Sequence, residues 1–157
     1  MNKTSLNKGY KDILSKLTKR KVKFLLIGAY AMEIQGCPRP TTDMDVWVMP
    51  DAANAKQLFI ALEEIGVPTM YLKAENMQKE KMTFQVGITP RRTIFMTSLD
   101  GLKFQEAFSN SKKFNIDGIS VNVLSVPDLI KNKRSTGRPK DFSDANDLEK
   151  LNVEKKK

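Results

Sequence analysis

One segment, GCPRPTTDMDVWVMP at residues 36–50, constrains the fold of this chain most strongly. Its second half, DMDVWVM, has the apolar composition of a buried strand, yet it begins with two carboxylates, Asp43 and Asp45. Because side chains two residues apart on a strand point to the same side, both carboxylates project from one face while Met44, Val46 and Val48 occupy the other. The segment therefore predicts a buried strand that begins with two carboxylate side chains on one face.

Helical and strand patterns alternate along the rest of the chain. Apolar residues at helical spacing predict helices near the N-terminus, after Asp51, after Ser125 and at the C-terminal end, with Asp51 and Ser125 as N-caps. The segments VKFLLIG, TFQVGI and RRTIFM predict further strands, and KFNIDGISVNVL predicts a hairpin that turns at Asp117 and Gly118. The polar stretch PTMYLKAENMQKEK matches neither the spacing of a helix nor the alternation of a strand. Short strands mixed with helices indicate an α/β (α+β) fold with a mixed β-sheet and flanking helices.

The length of 157 residues is sufficient for one hydrophobic core without disulfides. We expect a single domain over residues 1–152 and a frayed basic tail at residues 153–157. No apolar run is long enough to span a bilayer, and the N-terminus lacks the apolar stretch of a secretory signal. These features predict a cytoplasmic protein that has no membrane partner.

The chain contains no histidine and one cysteine, Cys37. This composition excludes Ser-His and Cys-His catalysis and any zinc site built on imidazole. Carboxylates, lysines, arginines, hydroxyls and backbone amides remain, and these groups suit hard cations and phosphates.

The formal charge of +9 is spread unevenly. Residues 1–23 contain eight basic residues against Asp12 alone, and the segment KNKRSTGRPK at residues 131–140 contains five with no acid. Basic clusters on a small domain favour polyanionic partners, with RNA or DNA ahead of membranes. Solubility explains the charge equally well when charge is considered alone.

The paired carboxylates are candidate ligands for a divalent cation. Mg²⁺ (or Mn²⁺) takes one or two protein carboxylates and completes its coordination with water and phosphate oxygens. The alternative is a solvated pair that caps the start of the strand. Gly28, at a junction between strand and helix, lets an anion approach the backbone, and Arg39 and Thr41 add hydrogen-bond donors for a triphosphate. The ordered set favours an NTP bound together with a metal ion.

The same residues stand in an order that resembles the polymerase-β-type nucleotidyltransferase superfamily, in particular small bacterial stand-alone members that include toxin-like proteins. The stretch IGAYAMEIQGCPRPTTDMDVWVMPDAANA is similar to the pattern G-[GSA]-x-A followed by G-x-x-R-x-T-x-D-x-D. A second stretch, DLIKNKRSTGRPKDFSDANDL, resembles the C-terminal pattern L-I-x-x-K followed by G-R-x-K-D-x-x-D. The resemblance covers most of the chain after Lys21 and implies the polymerase-β-like nucleotidyltransferase fold.

The resemblance implies an enzyme that transfers a nucleotide from an NTP to a hydroxyl or phosphate acceptor, through two metal ions bridged by the paired carboxylates. The acceptor would be a nucleic acid, such as tRNA, or a protein. Catalysis and metal binding are thereby assigned to Asp43 and Asp45. The residues assigned to nucleotide binding are Gly28, Ala29, Arg39, Thr41, Lys133, Arg138 and Lys140. Two further acids, Asp141 and Asp144, are interpreted as partners of a helix N-terminus and of the nearby lysines.

Two positions depart from the family pattern. Ala29 stands where the family has a serine whose hydroxyl contacts the phosphates, so only backbone donors remain there. Related sequences carry a third carboxylate on a later strand, where this chain has Ile94. An isoleucine neither binds a metal ion nor accepts a proton, so activation of the acceptor is weakened. Three outcomes stay open: NTP binding without turnover, slow turnover with an acid from elsewhere, and a non-catalytic scaffold. The alternatives to an enzyme are accordingly an impaired NTP- or RNA-binding relative and an antitoxin-like protein that binds a cognate partner protein.

Overall fold

The computed structural model describes residues 7–40, 43–68, 73–87 and 92–155. Its elements in chain order are α1 (Lys8–Lys19), β1 (Phe24–Ile27), α2 (Gly28–Ile34), β2 (Met44–Val48), α3 (Ala52–Glu64), a 3₁₀ helix (Ala74–Gln78), β3 (Thr83–Val86), β4 (Thr93–Met96), α4 (Phe104–Asn110), β5 (Lys112–Ile116), β6 (Ile119–Val123), α5 (Val126–Ser135) and α6 (Pro139–Lys155). The predicted helices and strands are present, and the 3₁₀ helix lies in the polar stretch that fits no pattern. Helix α6 continues to Lys155, into the segment for which the sequence predicts fraying.

Six strands of the described residues form one sheet in the order β3-β4-β2-β1-β6-β5. The pairs β1/β2, β3/β4 and β5/β6 are antiparallel, whereas β1/β6 and β2/β4 are parallel. Strand β2 therefore lies inside the sheet, between β1 and β4, and its backbone pairs on both sides. The predicted fold class, a mixed sheet with flanking helices, is confirmed.

Local side chains set the starts of two helices and the turn of the hairpin. Asp51 accepts a hydrogen bond from the backbone N–H of Asn54 at 2.7 Å, and Ser125 Oγ accepts one from the N–H of residue 128 at 3.3 Å. The hairpin between β5 and β6 turns at Asp117 and Gly118, whose φ values are 51° and 88°. Two successive positive φ angles are typical of a type I′ turn. None of the helices within the described ranges is both long and apolar enough to cross a membrane.

Both faces of β2 are packed. On one face Val46 is fully buried, and the rings of Phe84 and Phe95 stack beside it with centroids 5.0 Å apart. On the other face Trp47 is 1% exposed and meets Phe104 of α4 edge-on at 5.2 Å. The two carboxylates at the start of β2 are thus held by a strand that the core fixes on both sides.

Candidate active site

A cleft of about 340 Å³ lies where the end of β1 meets the start of β2. The side chains and backbone that line it belong to Gly28, Ala29, Arg39, Pro40, Asp43, Asp45, Lys133, Arg138, Lys140, Asp141 and Asp144. Eight of the nine site residues predicted from the sequence are in this set. The ninth, Thr41, lies outside the described residues. Folding thus brings two distant stretches of sequence together around the carboxylate pair.

Gly28 lets the backbone pass against the carboxylate of Asp45. Strands β1 and β2 are antiparallel and place Ile27 opposite Asp45, so the next residue turns across the carboxylate. Gly28 has a φ of +68°, and a Cβ at this position would lie 2.5 Å from Asp45 Oδ2. Both the left-handed backbone and the close contact disfavour a side chain here.

The carboxyl group of Asp45 loses its proton at a higher pH than an ordinary aspartate. Burial and the nearby charge of Asp43 raise its pKa from the ordinary 3.8 to about 6, while Lys133 and Arg92 act in the opposite direction. Burial has this effect because the ionised form loses more favourable solvation than the neutral form. A cation bound between the two carboxylates would offset both causes.

Arg92 holds the other carboxylate. Its guanidinium donates two hydrogen bonds to Asp43, from Nε to Oδ1 at 3.2 Å and from Nη2 to Oδ2 at 2.7 Å. The carbonyl oxygen of Arg92 accepts hydrogen bonds from the Tyr10 hydroxyl and from the Met44 N–H, each at 2.9 Å. Sequence reasoning missed this role because the pairing of β4 with β2 is a tertiary property. The available local signal was the pair of arginines directly before β4.

Three of the four basic residues that line the cleft are paired with the two acids at the start of α6. Lys133 Nζ lies 3.4 Å from an oxygen of both Asp141 and Asp144. Arg39 Nε lies 3.4 Å from Asp144, and Arg138 Nε lies 2.7 Å from Asp141. The predicted pairing of these acids with nearby lysines is present and extends to two arginines. The acids fix the positions of cations from separate parts of the chain.

Asp141 stays ionised within this network. Burial alone would raise its pKa, but the hydrogen bond from the Thr136 hydroxyl at 2.7 Å and the charges of Lys133 and Arg138 outweigh burial and lower the pKa. Its side chain is only 7% exposed, so the surrounding donors replace the water that it loses.

Ile94 stands directly beside Asp45 in the sheet. Strands β2 and β4 are parallel, and their register pairs Asp45 with Ile94. Paired residues of neighbouring strands project to the same face, so the Ile94 side chain lies on the face of the carboxylate. The position at which the family resemblance expects a third acid is therefore next to the pair, and it is apolar.

The donor set suits one hard cation that shares its coordination with a ligand. Within the described ranges, no three or more carboxylate, thiol or imidazole groups are grouped to hold a metal ion. Asp43 and Asp45 supply two carboxylates at an accessible cleft, and Mg²⁺ needs no more than this when water and phosphate oxygens complete its shell. The residues present therefore fit a magnesium ion that binds together with a phosphate-bearing substrate.

A family model described as "Nucleotidyl transferase of unknown function (DUF2204)" matches residues 6–157 of the chain. No sequence among the curated proteins matches it. The chain thus resembles a family at the level of sequence over almost its whole length.

Solved structures share the fold at low identity. A Thermotoga maritima protein described as a nucleotidyltransferase superposes with a TM-score of 0.60 at 13% identity, over 98% of this chain and 99% of the other. The lincosamide antibiotic adenylyltransferase LnuA, bound to lincomycin, has a TM-score of 0.57 at 14% identity, over 94% and 98%. ANT(2″)-Ia in complex with adenylyl-2″-tobramycin has a TM-score of 0.54 at 17% identity, over 92% and 91%. These three structures are similar to this chain in their fold.

Proposed function

Because this chain belongs to the nucleotidyl transferase family whose model spans residues 6–157, we propose that it transfers a nucleotide from an NTP to an acceptor with the help of Mg²⁺ or Mn²⁺. The observation that carries the proposal is the convergence of eight predicted residues on one cleft. The glycine turn, the carboxylate pair and basic residues distant in sequence line the same cleft, and nucleotide transfer needs groups for a metal ion and for phosphates in one place.

Asp43 and Asp45 would hold the metal ion. When bound, such an ion polarises phosphate oxygens and lowers the pKa of an attacking oxygen. The chain contributes a fixed position for both ligands, since the buried core holds β2 and Arg92 orients Asp43. Asp45 gives up its proton readily near neutral pH, because its pKa is about 6.

The charges of the cleft favour a triphosphate that enters with a divalent cation. Four cationic side chains line it, and four aspartates oppose them: Arg39, Lys133, Arg138 and Lys140 against Asp43, Asp45, Asp141 and Asp144. A bare triphosphate would meet the carboxylate pair and be repelled, whereas its complex with a divalent cation satisfies that pair. The basic residues, three of which Asp141 and Asp144 hold in the same cleft, can then contact the phosphates that leave as pyrophosphate.

The proposed reaction forms one bond and breaks one. An acceptor hydroxyl oxygen bonds to the α-phosphorus of the NTP, the bond to the leaving pyrophosphate breaks, and the hydroxyl proton passes to solvent. The residue beside Asp45 in the sheet is Ile94, whose side chain cannot accept this proton. We therefore propose slow turnover, and NTP binding without turnover is the second candidate function, which the same position of Ile94 favours.

Three classes of acceptor merit testing. The family resemblance and the basic charge point to a nucleic acid such as tRNA, or to a protein. The fold neighbours named as antibiotic adenylyltransferases point to a small molecule and to ATP as the first NTP to test. A labelled NTP presented to each class in turn would separate these acceptors.

Calorimetric titration of each NTP, with Mg²⁺ or Mn²⁺ and again in EDTA, tests the proposal. We expect metal-dependent binding by the wild type and at least ~30-fold weaker binding by Asp43→Ala/Asp45→Ala, because the metal ion loses both protein ligands. Glu63→Ala/Glu75→Ala is the control, since it removes two exposed carboxylates that do not line the cleft. Absence of binding by the folded wild type would refute the proposal, and so would equal binding by the two double variants.

Gly28→Ala should impair the site more than the fold. The left-handed conformation costs an alanine roughly 1–2 kcal/mol, and the new Cβ displaces the Asp45 carboxylate. Gly66→Ala is the matched control, because Gly66 has a φ of +85° and no atom within 4 Å of the added Cβ. Both variants should lose similar stability in thermal unfolding, but only Gly28→Ala should lose metal-dependent NTP binding. Equal nucleotide affinity of the two variants would show that contact with Asp45 is not critical.

A further inference from the structure

A second cavity, of about 730 Å³, lies on the same side of β2 as Asp45, beyond Trp47. Its walls come from the end of β2, the segment 98–103 between β4 and α4, the start of α4, and residues 80–81. This volume is in the range of cavities that hold a small organic ligand. We call it the lateral cavity.

A smaller cavity of about 250 Å³ links the lateral cavity to the cleft. It shares Asp45 and Lys133 with the cleft, and it shares Ser98, Leu99 and Asp100 with the lateral cavity. A ligand seated in the lateral cavity therefore has a path to the carboxylate pair. The path approaches Asp45 from a side other than that of Arg39 and Lys140, which line the cleft alone.

The lateral cavity combines an apolar floor with an acidic rim. The apolar residues are Trp47, Met49, Leu99, Leu102 and Phe104, and the ionisable ones are Asp51, Glu80, Asp100 and Glu106 against Lys81 and Lys103. Carboxylates thus exceed ammonium groups by two, in a chain whose net charge is +9. A polyanion such as RNA is repelled here, whereas a cation with an apolar part finds complementary groups.

The wall of the lateral cavity is preformed. Asn132 Nδ2 of α5 donates a hydrogen bond to the carbonyl of Asp100 at 3.0 Å, and Ser98 Oγ accepts one from the N–H of Lys81 at 2.8 Å. Gly101 has a φ of +82°, and a Cβ there would lie 2.2 Å from Ser135 Oγ. The segment 98–103 is therefore packed tightly against α5, and ligand binding requires little ordering of this wall.

We propose that the lateral cavity binds the acceptor, and that the acceptor is a cationic, amphipathic small molecule with a hydroxyl group. This inference rests on the proposed nucleotide transfer. The hydroxyl would reach the α-phosphorus through the linking cavity, its oxygen would form the new P–O bond, and pyrophosphate would leave on the side of Arg39 and Lys140. In-line displacement requires such opposed approaches, and the hydroxyl proton passes to water in the linking cavity.

Three probes that share a phenyl ring and a hydroxyl test the charge preference. N-benzylethanolamine is cationic, 2-benzyloxyethanol is neutral and 2-hydroxy-4-phenylbutanoate is anionic. Each is titrated into ¹⁵N-labelled protein, with and without saturating ATP and Mg²⁺, and backbone amide shifts are recorded. We expect the cationic probe to shift the amides of residues 98–106 most strongly, both without and with ATP. Stronger shifts by the neutral or anionic probe, or no shift of these amides by the cationic probe, would overturn the inference.

Variants that remove carboxylates test whether the acidic residues of the lateral cavity recognise the cationic probe. Asp100→Asn/Glu106→Gln should weaken binding of the cationic probe about 3- to 10-fold, while Glu63→Gln/Glu75→Gln, with the same change of charge elsewhere, should leave it unchanged. Equal affinity for the cationic probe in both variants would contradict the acidic recognition.

The two proposals fail in different ways. Competition between ATP and the cationic probe would show that the lateral cavity holds the nucleoside, which would overturn the acceptor assignment but leave nucleotide transfer intact. If the wild type binds the cationic probe but shows no metal-dependent binding of ATP, nucleotide transfer would be refuted instead.

Discussion

Asp45→Asn is expected to make the metal-free protein more stable while it lowers nucleotide transfer. The pKa of Asp45 is about 6 against an ordinary 3.8, so the folded protein is destabilised by roughly 2–3 kcal/mol above that pH, at about 1.4 kcal/mol for each pH unit. Asparagine has similar size and no charge, so it removes this cost. Turnover should fall at least ~100-fold, because a metal ion that supplies several kcal/mol of transition-state stabilisation loses one of its ligands.

The gain in stability should depend on pH in a defined direction. Between about pH 4 and pH 6 the folded wild type binds a proton at Asp45 that the unfolded chain has released, so stability of the wild type falls as pH rises through this window. Above pH 7 the full cost of the buried charge is present. Well below the ordinary pKa of 3.8 the carboxyl group is neutral in both states, and the two proteins should have equal stability at this site.

Urea unfolding at pH 4 and pH 8 in EDTA measures this effect directly. The stability gain of Asp45→Asn over the wild type should be small at pH 4 and should reach its full size at pH 8. Addition of Mg²⁺ and the NTP at pH 8 should stabilise the wild type alone, since ligands that bind only the folded state raise its stability. A variant that is less stable than the wild type at pH 8 in EDTA would contradict the assigned cost of the buried carboxylate.

Ile94→Asp is expected to raise turnover about 100-fold, in the lower part of the range for a positioned general base. The register of β2 and β4 places residue 94 next to Asp45 on the same face of the sheet. A carboxylate there would take the proton of the acceptor hydroxyl or contribute a further ligand to the metal ion. The metal-free variant should be less stable than the wild type, because a third negative charge joins Asp43 and Asp45.

Ile94→Asn is the matched control for this gain. It has the size and polarity of the aspartate without the charge, so it should bind the NTP as the wild type does and show no increase in turnover. Pyrophosphate release with ATP and Mg²⁺, measured in the presence of each acceptor class, reports the effect. If Ile94→Asp binds ATP and still releases pyrophosphate no faster than Ile94→Asn, the missing acid does not limit turnover. NTP binding without transfer would then be the better account.

Much of the fold could be predicted from the sequence because its signals are local. Apolar spacing predicts α1 and α3, the caps at Asp51 and Ser125 set where helices begin, and the Asp-Gly pair sets the hairpin turn. The position of the carboxylates on β2 follows from the alternation of side chains along a strand. The polar stretch before β3 could not be assigned, because a 3₁₀ helix leaves little periodic pattern in five residues.

Most helices and strands and the candidate site residues can be read from local sequence, because propensity, capping and motif spacing depend on neighbours along the chain. Which of these residues meet follows from the tertiary fold. The pairing of β4 with β2 brings Arg92 to Asp43 and Ile94 to Asp45, and the packing of α6 places two acids on the basic residues of the cleft. The lateral cavity, likewise, exists because segments distant in sequence pack together. These contacts arise from strand order and helix packing, which pair residues far apart in the chain and leave no local trace in it.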